Sequence, residues 1–323
     1  MLQFSNVYYN VSGFGIHDCC FLGQHYLTAH GFRADRGESW ALRSTQPPPG
    51  RLGLQLGYGV PGWFTGMWRS AQGIVYVTEL LGRLHICRNL DSMGAPETWE
   101  RVDFKNTIMQ GVWGLNDQCV FVWCKVGLKP SMLFWNGKTW AEIPAPPEEV
   151  AGMHGVSPEV VYAVGANGLI ARWDGKAWTR AVVPTQDFFI SVHVASPDEM
   201  YAVGHGQALW EGSTSGWGKV ADGPGVLQGV AKFGGEVWVG GQKQGLLKRD
   251  GNKLVVVNPD LHVNALDSRK TLLISTYDEI AETTDGKAFA TKAKGVMGQV
   301  RDSKTPLWGH EPDPAEEKED DED

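Results

Sequence analysis

The sequence predicts an all-β chain folded as a single β-propeller of about seven four-stranded blades, and three observations carry that expectation. The first is the unit in residues 150–184, VAGMHGVSPEVVYAVGANGLIARWDGKAWTRAVVP, where three strand-length apolar runs are parted by Ser157-Pro158, Ala166-Asn167-Gly168 and Asp174-Gly175-Lys176. These are turn-forming combinations. The second is a recurring aromatic or apolar slot, held by Tyr26, Tyr76, Phe121, Tyr162, Tyr201, Trp238 and Leu273 at spacings of 50, 45, 41, 39, 37 and 35 residues. A period of about 40 is that of propeller blades. The third is a pair of companion columns. Asp18, Trp68, Trp113, His154, His193, Val230 and Ala265 lie eight residues before the slots, and Trp178, Trp217, Leu254 and Phe289 lie sixteen after the last four. Trp40, Trp99 and Trp140 fill that later position in the earlier units. One such unit cannot cover both its faces, so the sheets must stack on one another, and closing the stack into a ring leaves only short edges.

In chain order, residues 1–11 form one alternating strand. A first unit spans residues 14–45 and ends in the stiff connector Pro47-Pro48-Pro49-Gly50. The next opens after GYGVPG at residues 57–62. That stretch satisfies G-x-G-x-x-G, yet it leads into Pro61 and an aromatic segment from Trp63 to Trp68 rather than a helix, so it reads as a turn and not a dinucleotide loop. Units three to seven fill residues 108–294. Val300 and Trp308 repeat the eight-residue offset once more, so the count lies between seven blades and an eighth split one closed by both termini, with residues 296–309 giving inner strands and residues 1–11 an outer strand. The expected domains are a propeller over residues 1–310 and a disordered acidic tail over residues 311–323.

The turn before the last strand repeats one chemistry in Asn136-Gly137-Lys138, Asp174-Gly175-Lys176, Asp250-Gly251-Asn252 and Asp285-Gly286-Lys287. Asp or Asn followed by Gly suits the positive φ angles of a tight hairpin. With the apolar residue that follows, these segments resemble the bacterial neuraminidase repeat, or Asp-box, of sialidase-type propellers and the related YCF48- and WD40-like repeats. Asp35-Arg36-Gly37-Glu38-Ser39-Trp40 keeps the D-x-G-x-x-W core best, with Arg33 in place of the usual Ser or Thr. The resemblance covers residues 14–294 and implies a fold rather than an activity.

Composition narrows the function classes. The net charge of −8 comes from the tail, whose nine acidic residues and one lysine leave residues 1–310 with 28 charges of each sign. A neutral body with no basic run argues against nucleic acid as a partner, because phosphate neutralisation needs clustered Lys and Arg. Cys19, Cys20, Cys87, Cys119 and Cys124 are odd in number and irregular in spacing, unlike a disulfide framework. The N-terminal stretch MLQFSNVYYN lacks the marks of a signal peptide, and no apolar run reaches the roughly 18 residues of a membrane span. Cytoplasmic residence, no membrane partner and a monomer outside its complex are the expectations.

Candidate sites are few. His17-Asp18-Cys19-Cys20, with His25 and His30 nearby, is the densest group of metal-ligand types, but strand alternation would send His17 and Cys19 to one face and Asp18 and Cys20 to the other, so no metal is expected. No cofactor is expected either. Glu79, Glu97, Glu100, Asp103, Glu142 and Glu211 show no pairing of the kind glycoside hydrolysis needs, and no nucleophile motif is present, so no enzymatic activity is expected. Trp68, Trp113, His154 and His193 share the inner-strand column. These side chains either pack between neighbouring blades or, together with Trp63, present a partner-binding surface of the residue types that dominate interface energetics. The function expected is a non-catalytic protein-binding propeller, either an immunity- or antitoxin-like inhibitor that caps a toxin or enzyme or an assembly scaffold. A carbohydrate-binding, lectin-like propeller is the alternative, and a glycosidase-like hydrolase the third reading.

Overall fold

The computed structural model describes residues 3–28, 37–46, 54–277 and 279–292. The first sheet is an antiparallel meander of β1 (Gln3–Gly13), β2 (Cys19–Thr28), β3 (Gly37–Ser44) and β4 (Leu54–Pro61). The second is β5 (Phe64–Arg69), β6 (Val75–Glu79), β7 (Arg83–Cys87) and β8 (Trp99–Asp103), and the third is β9 (Thr107–Asn116), β10 (Cys119–Val126), β11 (Lys129–Trp135) and β12 (Trp140–Ile143). The fourth is β13 (Val150–Ser157), β14 (Val160–Gly165), β15 (Leu169–Trp173) and β16 (Trp178–Arg180). Two further meanders follow. One is β17 (Phe189–Ser196), β18 (Glu199–Gly204), β19 (Ala208–Ser213) and β20 (Gly216–Asp222). The other is β21 (Leu227–Phe233), β22 (Glu236–Gly241), β23 (Gly245–Asp250) and β24 (Lys253–Asn258). They merge into one eight-stranded sheet through a single parallel bridge, Asp222 to Lys253. The last sheet is β25 (Val263–Ser268), β26 (Leu272–Thr276), β27 (Ile280–Thr283) and β28 (Ala290–Lys292). The described residues therefore form five four-stranded sheets and one eight-stranded sheet, where the repeat alone suggests about seven separate units.

The apolar slots lie where the repeat puts them from β6 to β22. Tyr76, Phe121, Tyr162 and Tyr201 face Trp68, Trp113, His154 and His193 across the first hairpin of each sheet. The eight-residue offset is thus the signature of hairpins of equal reach. It drifts later because the hairpins shorten: Trp238 faces Ala231 rather than Val230, and Leu273 faces Asp267 rather than Ala265. The β21–β22 hairpin closes on Gly234 and Gly235, whose φ angles of 61° and 82° match the two-residue turn that suits strand twist.

Three expectations at the N-terminus are overturned. Residues 3–13 form the inner strand of the first sheet, whose remaining strands come from residues 19–61, so residues 1–11 supply no outer strand to a blade shared by both termini. Residues 296–309 lie outside the described residues, as does the tail from residue 311. The slot in this sheet is Phe21, fully buried opposite Val11, rather than Tyr26, which pairs with Ser5. Strands of 11 and 10 residues lengthen the first hairpin and displace the pattern by five positions. Trp40 lies on the third strand, not the fourth, so the segment ending at Trp40 leads into β3. The four Asn/Asp-Gly turns instead join third to fourth strands, and the Asp174 carboxylate accepts from the Lys176 and Ala177 amides at 2.9 Å each.

The core is distributed between neighbouring sheets rather than within any one. Tyr58, Phe64 and Trp99 pack with Cys20 and Leu22 from the first sheet, and Trp68, Tyr76 and Ile86 pack with Met109 and Val122 of the third. Phe121 and Trp123 meet Met153 and Trp173, and Tyr162 meets Val192 and Trp210. The last joint brings β25 and β26 against β1 and is clasped by polar groups. Asp267 accepts from the Gly13 amide at 3.0 Å, while Arg269 donates to Ser12 Oγ at 2.7 Å and to the Arg69 carbonyl at 2.8 Å. The Arg69 and Arg269 guanidinium groups both lie on the Phe14 ring, 5.2 and 4.9 Å from its centroid.

Candidate functional site

The first strand of each meander faces a central cavity of about 520 Å³, with lining residues drawn from β1, β5, β9, β13, β17, β21 and β25. Strand alternation fixes its two ends. Turns joining first to second and third to fourth strands lie at one end, and turns joining second to third strands, with the links between sheets, lie at the other.

Trp68, Trp113, His154 and His193 are brought together along the cavity wall, toward the end that carries the Arg269 clasp. They are wedged between sheets as well. Trp68 is buried 5.6 Å from the Tyr76 ring, and a Cβ added to Gly114 would enter the Trp68 indole at 2.6 Å. Trp113 lies 6.4 Å from Phe121 and 5.8 Å from His154, and the His154 and His193 rings are 4.6 Å apart. His154 Nδ1 accepts from the Val194 amide at 3.1 Å, which makes it a neutral imidazole that ties β13 to β17. Burial, and then the neighbouring His193, hold the His154 pKa well below the usual histidine range, and burial takes His193 down to about 4. Near neutrality this wall carries two uncharged imidazoles.

Trp63, partly exposed, stands apart at the opposite end, in the link between β4 and β5. Its carbonyl accepts from the Leu80 amide at 2.8 Å, and the Leu80 carbonyl accepts from the Met109 amide at 3.2 Å. The Asn106 carbonyl in turn accepts from the Gly127 amide at 2.9 Å. These bonds place the turns of the second and third sheets side by side. On them sit Leu80, Leu81, Ile108, Val126 and Leu128, all exposed, with Leu81 at 69% and Leu128 at 91%. Exposed apolar groups gathered on one face mark interaction sites. Beneath the Leu80-Leu81 turn lies an ionic support in which Glu79, 1% exposed, accepts from Arg83 Nη1 and pairs with His85 Nε2, both at 2.8 Å. The rings of Tyr58 and Phe64 close over His85 at 5.1 and 5.6 Å. These leucines lie outside the aromatic columns of the strands, so the repeat does not mark them. The available signal was leucine at tight turns, in Leu80-Leu81-Gly82 and Gly127-Leu128, where polar residues are usual.

The other reactive groups are occupied. Burial raises all five thiols, Cys20 to about 12 and Cys119 and Cys124 to about 11. Cys19 and Cys20 are buried in β2, Asp18 pairs with Arg69 at 2.8 Å, and His17 Nδ1 meets Lys292 Nζ at 2.9 Å. Among the described residues no group of three metal-ligating side chains converges. The Tyr201 hydroxyl donates to Glu199 at 2.7 Å and lies 3.3 Å from Glu211, and burial with these two carboxylates pushes its pKa up, away from a phenolate nucleophile. Glu211 pairs with Arg249, Glu100 with Arg88 and Asp103 with Arg83 and Arg101, while Glu142 accepts from Ser131.

No family model and no curated protein matches the sequence. Solved structures do match the fold. The WD40 β-propeller domain of Doa1 superposes with a TM-score of 0.64 at 9% identity, over 87% of this chain and 96% of that one. The fold is a β-propeller. YCF48 from Cyanidioschyzon merolae aligns with a TM-score of 0.52 at 15% identity, covering 72% of this propeller and 86% of its own chain. A YCF48 structure bound to D1 peptide aligns at 0.57 and 12% identity, over 85% and 92%. At these identities the likeness is one of fold. No helix among the described residues of the propeller is long and apolar enough to cross a membrane.

Proposed function

We propose that this chain is a non-catalytic propeller that binds another protein as an assembly scaffold, with the partner seated on the face that carries Trp63, Leu80, Leu81, Ile108, Val126 and Leu128. The single observation behind this reading is the exposed apolar group on two adjacent sheets, held in place by the Glu79, Arg83 and His85 support. A buried apolar anchor surrounded by polar rim is the usual anatomy of an interface, and Lys105 and Lys129 supply the rim here. The peptide-bound YCF48 structure supports the class of function, since a similar fold holds a peptide there. We count the two meanders of the eight-stranded sheet as separate blades, seven in all, because one bridge is all the strand pairing between them. An inhibitor that caps a toxin or enzyme would use the same face, and no particular residue favours it over a scaffold. Trp68, Trp113, His154 and His193 are assigned to holding the blades together, with Trp63 kept in the partner-binding set.

The test is affinity capture from the native host with the wild-type chain and with Leu81→Asp/Leu128→Asp as baits. One protein captured in stoichiometric amount by the first and lost by the second supports the proposal. Equal capture by both moves the interface elsewhere, and binding of several related glycans on an array would favour the lectin reading.

A further inference from the structure

Outer strands of this ring expose backbone, and most are guarded by charge. β8 presents Glu100, Arg101 and Asp103, β12 presents Glu142, β16 presents Arg180, and β20 presents Lys219 and Asp222. Charges on an edge discourage another strand from pairing with it. β24 departs from this pattern. Val255, Val256 and Val257 stand exposed in succession, at 38%, 52% and 37%, with no charge among them. β23 pairs with one side of β24. On the other side, the one pairing among the described residues is the bridge from Lys253 to Asp222, which leaves residues 254–258 with an open edge.

The geometry points to β24 as a self-association edge, where two copies of the chain pair their β24 strands antiparallel about a two-fold axis at Val256. A two-fold contact requires a surface that complements itself, and the charges flanking the valines do so. Lys253 begins the strand and Asp260 follows its end. Both are exposed, and neither makes an ion pair among the described residues. Antiparallel pairing brings each Lys253 to the end that holds the other copy's Asp260, and sets Val255 beside the bulge at the other copy's Val257. Parallel pairing would oppose lysine to lysine. A strand from an unrelated protein would satisfy the backbone edge, but it is the chain's own charge order that fits the lysine and the aspartate at once. The sequence alone leads one to expect a monomer, and three adjacent exposed valines on an open edge are the reason to depart from that.

Sedimentation of the full chain against concentration tests this. The wild type should pass from monomer to dimer between about 1 and 100 μM, the affinity range expected of a small interface. Val256→Lys places two lysines face to face on the axis and should remain monomeric throughout, with an unchanged circular dichroism spectrum and melting temperature because Val256 points to solvent. Lys253→Asp should weaken the dimer about tenfold, and adding Asp260→Lys should restore it, the behaviour of a coupled pair. A wild type that stays monomeric, or a Val256→Lys chain that still dimerises, overturns the proposal. Lys253→Asp without effect overturns the antiparallel arrangement. Leu81→Asp/Leu128→Asp should dimerise like the wild type, so this result is independent of whether the partner face is correctly assigned.

Discussion

The two ends of the central cavity are built on opposite principles. One end is clasped by polar groups: Arg69 and Arg269 cover Phe14, Asp267 binds the Gly13 amide, and paired aromatic and imidazole rings wedge one inner strand against the next. The other end exposes apolar groups, with leucines on turns above the buried Glu79, which Arg83 and His85 hold in place. The contrast teaches that large residues in a repeat are not by themselves a binding surface. Trp68 is buried between sheets, whereas Leu81 and Leu128 stand in water, and the proposed partner face gives them a contact that the free chain does not.

The clasp should give the largest effect on stability. Arg269→Ala leaves Asp267, pushed up by burial and pulled down chiefly by Arg269, without its cation, and loses the bonds to Ser12 and Arg69. Denaturant titration should show a loss of about 3 kcal/mol, the low end of the cost of orphaning one member of a buried pair, because both side chains keep some exposure. Glu79→Ala at the opposite end should cost somewhat less, about 2–3 kcal/mol, because Arg83 is partly exposed and recovers hydration. Hydrogen exchange should then rise at the Leu80-Leu81 turn while the clasp stays protected. Rising exchange at both ends would mean that they are not independent.

The imidazole wall predicts a pH dependence with a definite sign. His193 titrates near 4 in the fold and near 6.5 when unfolded, so the unfolded chain binds more protons between these values and stability falls as pH drops through that window. The stability lost between neutral pH and pH below 4 is on the order of 3 kcal/mol. The groups around it are Glu199, which pulls the pKa up, Lys232, which pulls it down, and the His154 ring 4.6 Å away. His193→Gln should lessen the slope of the stability profile between about pH 6.5 and 4, with His154 supplying what remains, and a profile unchanged in slope would contradict the burial argument. The smallest effect is expected for Gly114→Ala. Its new methyl meets the Trp68 ring and should cost about 1–2 kcal/mol by overpacking, read as a lower melting temperature.

Much of the ring was legible because hairpins of matching length put Trp68, Trp113, His154 and His193 opposite the next aromatic in line. That regularity is a property of backbone reach, so a sequence column reports it directly. The first sheet escaped because longer strands put Phe21 rather than Tyr26 at the buried position opposite Val11. The join at Asp222 and Lys253 depends on how two outer strands tilt toward each other, which no local pattern encodes. The candidate partner face was only partly legible. Trp63 was singled out, but the neighbours that give it meaning lie on turns of two other hairpins, gathered by backbone bonds from Leu80 to Met109 and from Gly127 to Asn106. Exposure of a leucine is decided by such packing and is invisible in composition.

The division between the two ends is tested most directly by quantitative capture with three baits: the wild type, Leu81→Asp/Leu128→Asp, and Trp113→Phe/His193→Gln. The account predicts one stoichiometric partner retained by the first and third and lost by the second, with all three chains folded by circular dichroism. A partner lost by the third bait and kept by the second would contradict it and return binding to the cavity wall.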